Sequence, residues 1–421
     1  VQQSLGVVSD LIRKIATLAA GEFGARVLGI LNFALLARAL GVDGFGTFSF
    51  AMSFALVVGV AVDMGQNVHL GRVVARHGEE GALAFGQVVR NKIALTLAVL
   101  PLLYLGFMFA GFSNVESALV VLMSGWAALL SILDSMRSIA RARGLMHLDS
   151  SVNTLESLAR ILAVAVAWYL GVGVLGYGAA FVLEALLAGV LFHSVLNRRI
   201  TLKAEKQDRL RYRRFLQESA TLGLVALAAA GFNRLDQVIV QGAVGAYANG
   251  LYGAAARVVF TATAAASIVI NAFFPALASS VDDLIRYRSV LLRALLFAGG
   301  AGAIIAVSVV VFAGPIVRVL YGPSYNSAVP LLQIMGVVVL FNGLSVTGLY
   351  SASALNRERW TLLVVSALAT ASIAVGLLTI PRYGVVAAAW VSAGGEFLLA
   401  VSLLAVSADI LIGSSVAKAA T

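Results

Sequence analysis

Residues 294–313 read ALLFAGGAGAIIAVSVVVFA, twenty consecutive positions without a charge. At ~1.5 Å of rise per residue such a run crosses the ~30 Å hydrocarbon core of a bilayer as one helix, with its backbone polar groups satisfied internally. It is too long and too uniformly apolar for the ~10-residue alternating segments of a membrane barrel. Outward from it, runs of the same kind lie near 15–38, 45–65, 92–112, 116–137, 152–170, 175–196, 215–235, 248–277, 290–313, 328–354, 360–380 and 384–410. The expected fold is therefore all-α and polytopic, with about twelve transmembrane helices and no extramembrane domain of any size.

Composition points the same way. Of 421 residues, 60% are hydrophobic and 12% charged, whereas a soluble domain has about 45–50% apolar and about 25% charged residues. Too little polar surface remains to face water on all sides, which excludes an ordinary soluble enzyme or a nucleic-acid-binding protein. The net charge of +10 reads as topology. On the span assignment above, 23 of the 30 basic residues fall on one side, and Arg38, Arg318 and Arg382 alone on the other. The positive-inside rule then places both termini in the cytoplasm and favours an even helix count. No cysteine is present, so thiolate metal sites and thiol catalysis are absent. Residues 1–19 carry Asp10, Arg13 and Lys14 and show no removable signal peptide, leaving targeting to the first span.

The longest polar stretch, NRRITLKAEKQDRLRYRR at 197–214, lies near the middle of the chain. It divides the sequence into an N-terminal six-helix lobe (1–197), a basic cytoplasmic linker (198–214) suited to anionic headgroups, and a C-terminal six-helix lobe (215–421).

Catalytic signatures are missing. There is no GxxxxGK[ST] loop, and His69, His77, His147 and His193 are too scattered for HExxH. The one GxGxxG, at Gly171, Gly173 and Gly176, falls between two spans rather than between a strand and a helix, so it reads as a tight turn. The expectation is a protein that is not an enzyme and carries no cofactor.

Chemistry resides in the ionisable residues inside the spans. A charged side chain at mid-bilayer costs about 2.5–3.5 kcal/mol on insertion scales, so such residues face a partner or a hydrated cavity. Four basic residues lie within spans: Arg26, Arg160, Arg234 and Arg257. Glu22 and Arg26 are i,i+4 on one helical face, in the favourable order for an ion pair. Arg257 has no acidic residue at helical spacing within its span and is the foremost anion-binding candidate, since guanidinium suits bidentate phosphate contact. Arg234 sits in a polar cluster with Asn233, Asp236 and Gln237. Arg160 follows Glu156 at i,i+4, which explains it by pairing or snorkelling. Glu184 and Glu396 have no basic residue at i±3 or i±4. They read as either proton-exchanging carboxyls or buried neutral ones, and with Glu22 and Asp236 they are the candidate coupling or cavity acids. Asp63 and Asp134 read as solvated or Arg-paired groups near helix ends.

FALLARALGVDGFGTFSFAMSFALVVGVAVDMGQNVHLGRVVAR at 33–76, NRLDQVIVQGAVGAYANGLYGAAARV at 233–258, LYGPSYNSAVPLLQIM at 320–335 and IPRYGVVAAAW at 380–390 together resemble the Wzx-like polysaccharide flippases of the multidrug/oligosaccharidyl-lipid/polysaccharide exporter superfamily. The likeness runs over nearly the whole chain. It implies two six-helix bundles around a central cavity that opens alternately to each side. The implied substrate is a polyprenyl-pyrophosphate-linked oligosaccharide, carried to the outer leaflet of a bacterial or archaeal plasma membrane for O-antigen or exopolysaccharide synthesis. The implied partners are membrane lipids and the polysaccharide polymerase and ligase machinery. The family's cavity cations fall on Arg26 and Arg257, with Arg234 weaker. Twelve helices lack the extra pair of the lipid II flippases, so a peptidoglycan precursor is the less expected cargo. Coupling to H⁺ or Na⁺ is left open, and the competing expectation is a multidrug or organic-cation antiporter of the same superfamily.

Overall fold

The computed structural model describes residues 2–78, 84–200, 209–271, 273–355 and 357–419; among these, the side chains of 2–23, 25, 26, 209–211, 265, 268, 269, 271, 358 and 407–419 lie outside the description. The described residues form helices α1 (Gln2–Asp63), α2 (Gln66–His77), α3 (Phe85–Phe109), α4 (Asn114–Ala142), α5 (Met146–Tyr169), α6 (Val174–Asn197) and α7 (Arg209–Ala243). They continue with α8 (Ala246–Asn271), α9 (Phe274–Ala278), α10 (Leu284–Val311), α11 (Ala313–Leu320), α12 (Val329–Ala354), α13 (Glu358–Tyr383) and α14 (Val385–Ala419), with a short 3₁₀ turn at Pro323–Ala328. No strand occurs among them. The protein is an all-α polytopic membrane protein.

Nine of these helical segments are long and apolar enough to cross a membrane. One of them, Val27–Asp63, overlaps two of the expected spans, and α5 and α8 overlap two more. Each expected span thus lies on a helix. The first two expected spans are not separated by a loop: α1 runs through both, turning at Gly41, whose φ of 68° is open to glycine without a Cβ clash. The GxGxxG segment is indeed a turn, with Gly171 at φ 64° and α6 starting just after Gly173.

The chain divides into two compact units, one of Val1–Leu40 with Ala51–Leu227, the other of Gly41–Phe50 with Ala228–Thr421. The decapeptide 41–50, although early in the sequence, packs among residues of the second half. A Cβ on Gly46 would lie 1.8 Å from the Ala246 carbonyl oxygen, and one on Gly250 would lie 2.0 Å from that of Val42. Glycine at both positions lets the two backbones touch, and Asn249 Nδ2 donates to the Gly46 carbonyl at 2.8 Å. Phe45 is fully buried against Tyr321 and Tyr325, with ring centroids 6.4 and 6.2 Å away. The Tyr325 hydroxyl donates to the Gly41 carbonyl at 3.0 Å. Three of the motifs that carry the family resemblance therefore meet at one packing point in this unit.

In the other unit the break after α1 is made by Met64 and Gly65, at φ 42° and 76°. There a Cβ on Gly65 would lie 2.4 Å from the Ser219 carbonyl of α7, and one on Gly223 would meet the Met64 backbone at 2.4 Å. The amphipathic α2 then runs off with Leu70 and Val74 buried and Arg72 and Arg76 exposed.

Candidate functional site: charged clusters in the apolar helices

In the unit holding the second half of the chain, α7, α8, α12, α13 and α14 enclose a cavity of about 60 Å³, room for roughly two water molecules or a small cation. Its polar lining consists of Asn233, Asp236, Thr263, Asn342, Ser372, Ser392 and Glu396. Glu396 is buried, and its Oε1 accepts from Asn342 Nδ2 at 3.1 Å and from Ser345 Oγ at 2.5 Å. Asp236 accepts from the Tyr252 hydroxyl and, at 2.7 Å, from the Gln237 backbone N–H. The sequence places these carboxylates 160 residues apart; helix packing brings both to one cavity.

Two guanidiniums belong to the same unit. Arg234 lies two residues before Asp236, whose pairing with Tyr252 links α7 to α8, and its Cζ stands 4.0 Å from the centre of the Phe260 ring. Its Nη1 is shielded and has no hydrogen-bond partner among the described residues. Arg257 is buried in α8, 8% exposed, within electrostatic range of Arg234 and Tyr321. Two guanidiniums in one helical unit contribute positive potential suited to a multivalent anion, opposed in part by the Asp236 carboxylate beside Arg234. Glu22 and Arg26 lie outside the described side chains.

The other unit contains two charge clusters. In the first, Lys92, which the sequence assigns to the cation-rich loops, is instead completely buried. Its Nζ lies 2.8 Å from Asp63 Oδ1, 2.8 Å from Asn67 Oδ1, 2.9 Å from the Ser131 carbonyl, 2.8 Å from Ser131 Oγ and 2.9 Å from Ser135 Oγ. Asp63, expected to be solvated or Arg-paired, is thus lysine-paired. The overlooked signal was the i,i+4 couple of Ser131 and Ser135 on one face of the apolar α4, together with Asp63 and Asn67 on either side of the break between α1 and α2.

The second cluster is a chain of ion pairs. Arg137 on α4 contacts Asp134 at 3.3 Å, Asp149 at 3.4 Å and Glu156. Arg160 on α5 contacts Glu156 and, on α6, Glu184 at 3.2 Å. The i,i+4 pairing of Arg160 with Glu156 holds. Glu184 finds its cation on the neighbouring helix, where a search along its own helix does not reach. The Arg160 guanidinium also lies 5.8 Å from the rings of Trp126 and Phe181, a cation–π arrangement that offsets part of the desolvation. Among the described residues no group of His, Cys, Asp and Glu is arranged to hold a metal ion.

The described helices thus keep unlike charges in small buried clusters among segments long and apolar enough to cross a membrane. Residues 11–281 match the polysaccharide biosynthesis protein family, and the chain belongs to that family. No curated protein sequence matches it. Among solved structures it is similar to an inward-facing multidrug resistance MATE transporter of the MOP superfamily, with TM-score 0.77 and 14% identity over 94% of this chain and 96% of the other. It is also similar to the MATE multidrug transporter DinF-BH, with TM-score 0.67 and 16% identity over 95% and 96%. For the Vibrio cholerae MATE transporter VcmN, the TM-score is 0.61 and the identity 15%, over 96% and 97%. These likenesses establish the fold.

Proposed function

We propose that the protein is a flippase that carries a polyprenyl-pyrophosphate-linked oligosaccharide from the cytoplasmic to the outer leaflet of the plasma membrane by alternating access, with both termini cytoplasmic. The observation that carries this reading is the presence of two guanidiniums in one helical unit, Arg257 buried on α8 and Arg234 on α7, with a shielded Arg234 Nη1 that has no hydrogen-bond partner among the described residues. A pyrophosphate offers the charge and the acceptor oxygens that such a pair selects. Moving its sugar headgroup through bare hydrocarbon is prohibitive, so a cationic, hydrated path is what the protein must contribute. Membership of the polysaccharide biosynthesis family supports the same substrate class. Arg26 enters the proposal from the sequence alone. Delivery to a polymerase and ligase on the outer face follows from the substrate's fate.

With an inside-negative potential, outward movement of each net negative charge is favoured by about 2.3 kcal/mol per 100 mV. The Asp236 and Glu396 cavity, with two carboxylates in its lining, suits H⁺ or Na⁺ as a coupling ion. A second reading, an organic-cation antiporter, draws support from these carboxylates together with the MATE-like fold.

The test is headgroup accessibility of a polyprenyl-pyrophosphate oligosaccharide in proteoliposomes, with and without an imposed potential. Translocation is expected for the wild type, to be lost in Arg257→Ala with membrane insertion intact and partly retained in Arg257→Lys. Unchanged translocation in Arg257→Ala removes the site assignment. Proton- or sodium-driven export of organic cations without lipid translocation moves the protein to the second reading.

A further inference from the structure

A cavity of about 640 Å³ lies between α5 and α6, within the range of pockets that hold whole small molecules. It is a groove, walled almost wholly by apolar side chains and floored by small residues such as Ala159, Ala163 and Ala180. Its rims are leucines that stay largely uncovered: Leu162 is 64% exposed and Leu187 62%. The two carboxylates in the lining, Glu156 and Glu184, are both held by Arg160, so the wall offers a ligand no free carboxylate.

We propose that this groove seats the polyisoprenoid chain of the lipid-linked substrate, an inference that rests on the flippase reading. Length decides for this occupant. On α5 the lining runs from Val152 to Leu170, about 27 Å of helix at ~1.5 Å per residue, close to the full ~30 Å hydrocarbon thickness. A phospholipid acyl chain fills one leaflet, about half that depth; a long polyprenyl chain fills the whole groove. Lipid tails are as apolar as leucine, so the hydrophobic effect does not discriminate between them. Selection comes from contact along a continuous groove and from the charge at its end. Beyond the Val152 and Leu191 end of the lining, α6 is followed by the exposed Arg198 and Arg199, whereas Arg141 at the end of α4 is paired with Asp149 at 2.9 Å. An apolar slot with a basic mouth complements one long uncharged chain ending in phosphates.

The experiment places full-length protein in nanodiscs with diazirine-bearing undecaprenyl phosphate and maps the labelled peptides. Labelling is expected on α5 and α6. Unlabelled undecaprenyl phosphate is expected to compete about tenfold better than farnesyl phosphate, and Ala163→Trp with Ala180→Trp to lower the labelling about fivefold or more. A diazirine phospholipid is expected to leave these peptides largely unlabelled. Equal labelling by the phospholipid, equal competition by farnesyl phosphate, or displacement by tetraphenylphosphonium overturns the assignment. The competition uses wild-type protein, so it decides the matter even if the tryptophan variants do not fold. Translocation is measured on the same preparations. Wild type that translocates with its label elsewhere overturns the groove alone; wild type labelled in the groove but unable to translocate supports the groove and overturns the flippase reading.

Discussion

Replacing Lys92 by methionine removes an ammonium but keeps most of the side-chain volume, isolating the electrostatic part of its role. Lys92 is 0% exposed and its three N–H donors face five oxygens at 2.8–2.9 Å, one of them on the Asp63 carboxylate. Without the cation that carboxylate keeps the Asn67 backbone N–H at 3.2 Å but loses its counter-charge. Removing one partner of a buried pair costs about 3–5 kcal/mol. At about 2–4 °C per kcal/mol for a unit of this size, Lys92→Met lowers the melting temperature by about 10 °C. Asp63→Asn in the Lys92→Met background removes the stranded charge, so the double variant recovers part of the loss, with a coupling energy of about 2 kcal/mol. Thermal unfolding of purified protein, read by tryptophan fluorescence across the double-mutant cycle, measures this directly. A loss below about 1 kcal/mol for Lys92→Met, or strict additivity, refutes the claim that Lys92 and Asp63 form a stabilising buried pair.

Gly250→Ala sets a Cβ 2.0 Å from the Val42 carbonyl oxygen, which backbone cannot yield, so destabilisation of about 3 kcal/mol, the upper part of the overpacking range, is expected in thermal melts. Gly300→Ala meets nothing within 4 Å inside α10 and is expected to stabilise by about 0.5–1 kcal/mol, which makes it the matched control. Glu396→Gln keeps an oxygen for Asn342 and Ser345, so folding is expected to survive while ion-coupled transport falls; transport equal to wild type under an ion gradient removes Glu396 from the coupling role. His69 stands 3.3 Å from Glu218 and edge-on to Phe215. Its pKa is held below 6.5 by burial and by Arg72 and Arg76, against the pull of Glu218. The unfolded chain then binds the proton more readily, so stability is complete above about pH 6.5 and falls as pH drops towards the folded-state value; in His69→Gln this dependence flattens, and an unchanged melt-versus-pH curve in that variant contradicts the assignment.

Much of this protein follows from the linear chain, because a bilayer imposes length and polarity one segment at a time. A helix must hold about twenty apolar residues and satisfy its own backbone. The run at 294–313 therefore announces α10 without reference to any other residue, and most of the other membrane-length helices are legible in the same way. Local spacing also reveals the Glu156–Arg160 pair, since i,i+4 neighbours share a face whatever surrounds them. Tertiary structure decided what depends on a second helix. Glu184 looks unpaired along its own helix, yet Arg160 reaches it from α5. Lys92 counts as a loop cation until Asp63, Asn67, Ser131 and Ser135 close around it. Asp236 and Glu396 come to one cavity across a separation that carries no periodic signal. The segment 41–50 packs with residues 200 positions onward because Gly46 and Gly250 allow two backbones to touch. A sequence shows that each glycine is small; which backbone it lets in is a property of the folded chain.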